Sequence, residues 1–261
     1  MLISLIQSCF ATAGYRVSRI LPTFPAINVL RLAVDDAVRR HRASGRGLDT
    51  FWCVQIGAHD GVSYDPVREY ITGYGFPALL IEPQPDIFAR LKENYLEFDN
   101  VIFENVAVAH QEGTIPMYRY RAGAHTSYDA STLSSTVKEV LERNVHGVSA
   151  EIEEIHVPAR TLPGLLEKYA IHNIGLLQID TEGFDFDVIK MIDYEKTKPV
   201  IINFEDGFLS RKERTACLEL LCSQGYRVLK NGWDTVAYQQ EEEKSSYAAR
   251  IIVTALRDTN W

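Results

Sequence analysis

The chain has 261 residues, with 27 Lys and Arg against 35 Asp and Glu and a net charge of −8. A chain of this size buries about 70–75% of its unfolded surface and supports a core without staples. Its acidic balance argues against nucleic acid as the main partner, because phosphate binding needs a basic face.

No run of about 18 apolar residues occurs, so no segment reads as a membrane span. Cys9, Cys53, Cys217 and Cys222 form no C-x-x-C pair and read as reduced thiols of a cytoplasmic protein. Residues 1–50 read as a helical extension ahead of a domain over 51–261. Met1–Phe10 lacks the basic flank of a signal peptide. Leu2, Leu5, Ile6, Cys9 and Phe10 share one helical face. That face suits packing on the domain or on a partner copy, giving a homo-oligomer, with a membrane-surface helix as the less favoured reading. Pro22 and Pro25 break the pattern, a second helix is predicted over about 26–43, and Ser44-Gly45-Arg46-Gly47 stops it.

From Phe51 strands and helices alternate. Trp52–Ile56 is the first strand, and a helix is predicted from about Tyr64 to Thr72. Ala78–Ile81 is a continuous apolar run, the mark of a strand buried on both faces. A helix follows over Asp86–Tyr95, then a strand at Val101–Phe103. Val106–Ala109 and Thr114–Tyr120 read as a hairpin about Gln111-Glu112-Gly113. The small, polar stretch around Ala124–Leu133 has the length of a functional loop, and a helix is predicted over Thr136–Asn144. Glu153–Val157 is a strand, Leu162–Tyr169 a helix, and Leu176–Ile179 a buried strand running into Asp180-Thr181-Glu182-Gly183. A further strand, Pro199–Phe204, ends at Glu205. The helix Arg211–Ser223 precedes a hairpin of Tyr226–Leu229 and Thr235–Tyr238 about Asn231-Gly232, and Ala249–Thr254 is a possible last strand. This order gives an α/β, doubly wound, Rossmann-like sheet, mostly parallel with an antiparallel C-terminal strand.

Val54-Gln55-Ile56-Gly57-Ala58-His59-Asp60-Gly61 joins a strand to a glycine turn, the shape of a nucleotide pocket in an open α/β sheet. A pyrophosphate wants bare backbone N–H groups and a helix N-terminus. Asp60 puts a carboxylate into the turn, which repels phosphate and welcomes a cation. S-adenosylmethionine (SAM) carries a sulfonium and an ammonium and no phosphate, so the turn favours SAM over NAD. An ordinary strand-to-helix turn capped by Asp60 is the plain alternative. Gly57 leaves the strand at a φ that side chains resist, and Gly61 allows close approach of a ligand. His59 is expected to line the pocket.

Glu82 ends the second strand 25 residues after Gly57, where an acid accepts the ribose hydroxyls of an adenosine; an acid at a helix N-terminus is the alternative. Asn105 ends the third strand. Its amide, or the backbone at Val106, is placed to read an adenine edge, with Ala107 leaving room for the ring. A plain turn asparagine is the alternative.

Three stretches resemble the FkbM-type SAM-dependent methyltransferases: Val54–Pro66, Leu80-Ile81-Glu82-Pro83-Gln84-Pro85, and Leu177-Gln178-Ile179-Asp180-Thr181-Glu182-Gly183-Phe184-Asp185. The resemblance covers roughly residues 51–240. It implies a class I methyltransferase fold, and usually O-methylation of a hydroxyl on a sugar, glycan or polyketide-like product. It implies that Gly57, Asp60, Glu82 and Asn105 line the cofactor. With their neighbours, the expected cofactor-lining set is Gln55, Gly57, Ala58, His59, Asp60, Gly61, Glu82, Pro83, Asn105, Val106, Ala107, Asp180 and Glu182.

Asp180, Glu182, Asp185 and Asp187 crowd one turn. Asp185 and Asp187 open a helix, where acids suit the dipole. Asp180 and Glu182 have three readings: holding the SAM ammonium or the acceptor hydroxyls, binding a divalent ion, or capping the helix. Two clustered acids without an evident third ligand make metal the less favoured reading, so no metal is expected. Glu205 is a third ligand or the general base, since a partly dry carboxyl can accept a hydroxyl proton near neutrality. His125 is the rival base. The expected activity is O-methyl transfer from SAM to a small-molecule or glycan hydroxyl. An NAD-type oxidoreductase and a non-catalytic adenosine-binding module are the alternatives.

Overall fold

The computed structural model describes residues 28–121, 133–144 and 152–239. The first elements are α1 (Val29–Ala43), β1 (Trp52–Ile56), α2 (Arg68–Tyr74), β2 (Ala78–Ile81), α3 (Pro85–Asn94) and β3 (Val101–Glu104). Then follow β4 (Ala107–Val108), β5 (Gly113–Tyr120), β6 (Ser134–Ser135), α4 (Lys138–Asn144) and β7 (Ile152–Arg160). The last are α5 (Leu162–Lys168), β8 (Ile174–Ile179), α6 (Asp185–Lys190), β9 (Ile201–Glu205), α7 (Arg211–Ser223), β10 (Tyr226–Asn231) and β11 (Asp234–Gln239).

Seven strands form the main sheet in the order β3-β2-β1-β8-β9-β11-β10, and β11 alone runs against its neighbours. The apolar strands β1, β2, β8 and β9 occupy its middle, as double-faced burial requires. One face carries Val54, Ile56, Leu79, Ile81, Leu177 and Ile179 against α5, α6 and α7. The other carries Cys53, Leu80 and Leu176 against α1, α2 and α3. This is the doubly wound, Rossmann-like α/β arrangement expected from the sequence.

In α1, Leu30, Ala33, Val34, Ala37 and Val38 recur at helical spacing and are buried on the sheet. Asn28 caps the helix through Arg31 N (2.9 Å), and Val29 N donates to Asn231 Oδ1 on β10 (2.9 Å). Residues 1–27, the loop residue His125 and the segment 249–254 lie outside the described residues. Cys53, Cys217 and Cys222 are free thiols. Among the described residues no helix is long and apolar enough to cross a membrane.

Three local expectations are corrected. The helix placed from Tyr64 begins at Arg68, because Asp65 Oδ1 accepts Val67 N (2.7 Å) and Arg68 N (2.9 Å) and so caps it; Tyr64 ahead of it holds φ 57°. Val106–Ala109 and Thr114–Tyr120 do not form a hairpin. A second sheet of order β4-β7-β5-β6 places β7 between them, and Ala159 pairs with both Ala107 and Gly113. The eight-residue ladder of β5 with β7 wins over the short local pairing, since only two residues of the first segment extend. The last hairpin turns on Gly232-Trp233, with Asn231 paired to Asp234 as the final strand residue.

Candidate functional site

The site lies at the C-terminal ends of β1, β2, β8 and β9, where open α/β sheets bind ligands. Gly57 leaves β1 at φ +81°, and a Cβ there would lie 1.8 Å from the Asp180 carbonyl oxygen. Only glycine lets the β1 and β8 ends stand this close.

Asp60 does not face the cleft, contrary to the sequence expectation. Its Oδ1 accepts Val62 N (3.0 Å) and Ser63 N (2.7 Å), and its Oδ2 accepts Ser63 Oγ (2.8 Å) and the Arg90 guanidinium (3.0 Å). Burial opposes its charge, but the Ser63 and Val62 N–H groups, the Ser63 hydroxyl and His59 outweigh it and hold the carboxyl down at about 2. Asp60 is thus the turn-capping carboxylate, the plainer of its two readings. Gly61 is likewise not a ligand contact. A Cβ there would meet Leu91 Cδ1 and Tyr95 Cε2 at 2.6 Å, so this glycine serves the packing of α3.

Glu82 does reach the cleft, from a buried position. Its Oε2 accepts His59 N and its Oε1 accepts Gln84 N, both at 2.9 Å. Burial pushes its carboxyl up to about 7 against these hydrogen bonds. Asn105 spends its amide on the Glu82 and Pro83 carbonyls (2.8 and 3.1 Å). It locks two strand ends together and does not face the cleft, so it is the turn asparagine of the two readings.

Asp180 follows β8 and is reachable through the cleft. Burial, then Asp185, Glu205, Asp234 and Glu82, push its carboxyl well up. Glu182, at φ 52°, is pushed to about 10 by burial and by Asp180, Glu205 and Asp185. Glu205 is pushed to about 7 by burial, Asp185 and Asp234, with Lys230 opposing. One oxygen from each of Asp180, Glu182 and Glu205 lies within 4.8 Å of the other two. The β8–β9 register brings Glu205 to this pair, in keeping with its expected place as a third ligand or the general base. Asp185 is structural: it accepts Thr181 Oγ1 (2.7 Å), Thr181 N (3.3 Å) and Glu205 N (3.2 Å). Asp187 pairs with Lys190 at 2.7 Å and lies 3.1 Å from His110 Nε2.

Beneath these acids runs a row of amides, of which sequence reasoning singled out only Gln55, as a cofactor-lining residue. Gln55, Gln178 and Asn203 are register partners on β1, β8 and β9. Asn203 Nδ2 donates to Gln178 Oε1 (2.6 Å) and to Asp234 Oδ2 (2.9 Å). The signal was available: each of three apolar strands carries one buried amide near its end.

The cleft is a concave pocket open to solvent, with about 80 Å³ available to the centres of water-sized molecules. Of the expected set it is lined by Gly57, His59, Glu82, Pro83, Val106, Ala107, Asp180 and Glu182. Gln55 and Ala58 line an adjoining cavity that shares Gly57, His59, Asp180 and Glu182. Asp60, Gly61, Asn105 and Glu205 line neither. The second sheet supplies a wall that the sequence did not show, through Met117, Ser134 and Thr136. Ser135 Oγ donates to the Glu182 carbonyl (2.7 Å) and Gln84 Nε2 to Ser134 Oγ (3.1 Å), which fasten this wall to the cleft. Neither lining includes a Lys or Arg.

A model of the methyltransferase FkbM domain matches residues 55–228, two thirds of the chain. No curated protein matches. Among solved structures, the methyltransferase FkbM from Methylobacillus flagellatus KT is 12% identical with a TM-score of 0.45, over 73% of this chain and 44% of that one. A precorrin-6y C5,15-methyltransferase from Geobacter metallireducens is 12% identical with a TM-score of 0.40, over 87% and 95%. The N-terminal domain of human METTL16, in complex with SAH, is 13% identical with a TM-score of 0.40, over 91% and 81%. By the extent of the domain match, this chain belongs to the FkbM methyltransferase family.

Proposed function

We infer that the protein methylates a hydroxyl of a sugar, glycan or related natural product with SAM as the methyl donor. The carrying observation is a cleft that combines a buried acid at the end of β2 with acids at the end of β8 and, among the described residues, no Lys or Arg. The residues suit SAM. Glu82 is placed for the ribose hydroxyls, Val106, Ala107, Met117 and Phe184 offer apolar surface for the adenine, and Asp180 and Glu182 offer negative charge for the ammonium. When bound, SAM supplies an electrophilic methyl on a sulfonium.

The chain's own part is positioning and proton removal. Asp180 and Glu205 stand at neighbouring strand ends, where an acceptor hydroxyl can be held in line with the methyl. Burial keeps the Glu205 carboxyl near neutrality, the range in which a general base both ionises and accepts a proton. A net charge of −8 favours an uncharged polyhydroxyl acceptor over nucleic acid. An NAD-type reading lacks support from the cleft. Three acids face it, and α2 begins eleven residues after Gly57, so no helix N-terminus follows the turn directly.

The test is release of S-adenosylhomocysteine with a panel of sugars and glycans, beside calorimetric titration of SAM and NAD. Product release with SAM binding and no NAD binding is the expected result. NAD binding without SAM binding, or SAM binding without turnover on any hydroxyl acceptor, overturns it.

A further inference from the structure

Exposed apolar side chains gather at one end of the molecule. Among the described residues, the large ones that stand exposed are Val62, Tyr64, Leu96, Val137 and Trp233. All but Leu96 lie on segments that border the cleft or its adjoining cavity. Val62 and Tyr64 flank Ser63 in the turn after β1, and Val137 follows Thr136 of the cleft wall. Trp233 tips the hairpin of β10 and β11, one residue before Asp234, the register partner of Glu205. Single apolar residues scattered over a surface need no explanation, but a group around one site marks a contact surface.

Tyr64 and Trp233 are the informative pair, with 90% and 83% exposure. Among the described residues neither ring stacks on another ring or meets a cation. Both are carried on fixed backbone. Tyr64 takes φ 57°, uncommon for a bulky residue, between two turns closed by carboxylates: Asp60 Oδ1 accepts Ser63 N (2.7 Å) and Asp65 Oδ1 accepts Val67 N (2.7 Å). The Trp233 carbonyl accepts Lys230 Nζ (2.9 Å), and that ammonium also engages Asp206 beside Glu205. Each ring is a large apolar plate whose mounting is already ordered, which lowers the cost of binding on it.

Their placement sets a span. Tyr64 lines the adjoining cavity with Asp180 and Glu182, on the β1 side. Trp233 stands on the β11 side. The order β1-β8-β9-β11 puts three strand spacings between these sides, about 14 Å. Asp180 and Glu205, at the ends of β8 and β9, fall between them. That span exceeds one sugar ring and suits a short chain of rings, with the reacting hydroxyl over the acids.

Chemistry selects the occupant. An aromatic face takes the C–H face of a sugar ring, while the sugar hydroxyls turn to acceptors. The acids between the two rings are acceptors, and neither cavity lining includes a Lys or Arg. Nucleic acid, an anionic glycan and an anionic bilayer would each set negative charge against these acids. An uncharged oligosaccharide does not. We propose that Tyr64 and Trp233 are stacking platforms for neighbouring rings of an uncharged oligosaccharide acceptor, so that the protein selects a chain over a single sugar. The proposal rests on the hydroxyl-acceptor reading above and deepens it.

The test is a printed array of neutral and anionic glycans of graded chain length, probed with the full chain and with Tyr64→Ala, Trp233→Ala and Trp233→Phe. Wild type is expected to retain neutral chains in preference to single sugars. Each alanine variant is expected to weaken that retention by about fivefold or more, and Trp233→Phe, which keeps a ring, to recover most of it. Circular dichroism checks folding; should Tyr64→Ala not fold, the two Trp233 variants decide. No retained neutral chain, a preference for anionic glycans, or equal retention by the alanine variants overturns the platforms. So does binding to phosphatidylcholine vesicles that is lost with the same rings, which would assign them to a membrane surface. SAM is titrated separately by calorimetry. SAM binding with ring-independent retention removes the platforms alone, and ring-dependent retention without SAM binding removes the donor reading alone.

Discussion

Glu82 Oε2 accepts the backbone N–H of His59 at 2.9 Å, so the acid that ends β2 also closes the turn that follows β1. Its other oxygen holds Gln84 N at the same distance. Glu82→Ala leaves both N–H groups without an acceptor, and is expected to lower stability by about 2–4 kcal/mol as well as weaken SAM. Glu82→Gln, which keeps one acceptor oxygen, is expected to cost less than half of that. Urea unfolding beside SAM titration measures both. A wild-type midpoint for Glu82→Ala shows that the two bonds do not support the turn.

The same residue sets a pH trend. Burial raises the folded Glu82 carboxyl from an ordinary 4.5 to about 7. Between these values the unfolded chain has released a proton that the folded chain keeps, so raising the pH favours unfolding. The contribution is full below about 4.5 and lost as pH rises through about 7. Asp60, held down at about 2, works oppositely and only in acid. Unfolding midpoints from pH 5 to 8 are expected to fall, and to fall less in Glu82→Gln. Parallel profiles refute the assignment.

Gly61→Ala drives a methyl into Leu91 and Tyr95 and imposes φ +69° on alanine. Overpacking of this kind costs about 1–3 kcal/mol. Because Gly61 lines neither cavity, the folded variant is expected to bind SAM with wild-type affinity. Calorimetry on the folded fraction decides this, and a large affinity loss would restore Gly61 to the ligand.

On β11, one strand in from the edge of the sheet, the Tyr238 hydroxyl donates to the buried Asp36 at 2.5 Å, and Arg40 engages both. Tyr238→Phe is expected to destabilise the protein by about 1.5–3 kcal/mol, the scale of a hydrogen bond to a charged group. Because α1 is docked through this triad, accelerated hydrogen exchange is expected in Val29–Ala43. Unchanged exchange there indicates that apolar packing alone seats the helix.

Glu205→Gln keeps the shape of the side chain and removes its base. Turnover is expected to fall by about 10²-fold or more, with SAM affinity little changed, since Glu205 lines neither cavity. Asp180→Asn is expected to lower both turnover and SAM affinity. Full turnover in both variants would make these acids helix-end structure.

The sheet was legible because its strands are buried on both faces. Ala78–Ile81 stands out as an unbroken apolar run and Trp52–Ile56 as an apolar strand interrupted only by Gln55, and the structure keeps those bounds. The capping box Ser210/Glu213 marks Arg211 as a helix start just as openly. What failed was non-local or depended on where a side chain turns. Ala107 and Gly113 are close in sequence but pair through Ala159, far downstream. Asp60 looks like a ligand-facing acid from its place between two glycines, yet Ser63 and Arg90 draw it away. The reading against a phosphate ligand rested on Asp60, whereas the acids that line the cleft are Glu82, Asp180 and Glu182. Gln55 was expected to line the cofactor, and only the register with Gln178 and Asn203 makes it part of a row.

The side-by-side pairing of Ala107 with Ala159 has an evolutionary consequence. The chain leaves the main sheet and returns to it at neighbouring points, so the described strands β5 and β6 between them stand as a cassette beside the main sheet. Its length and side chains can drift without shifting a single main-sheet strand. Ser134 and Thr136 belong to that cassette, while Glu82 and Asp180 belong to the frame. Selection can therefore retailor what the cleft accepts while the donor-facing half stays constant.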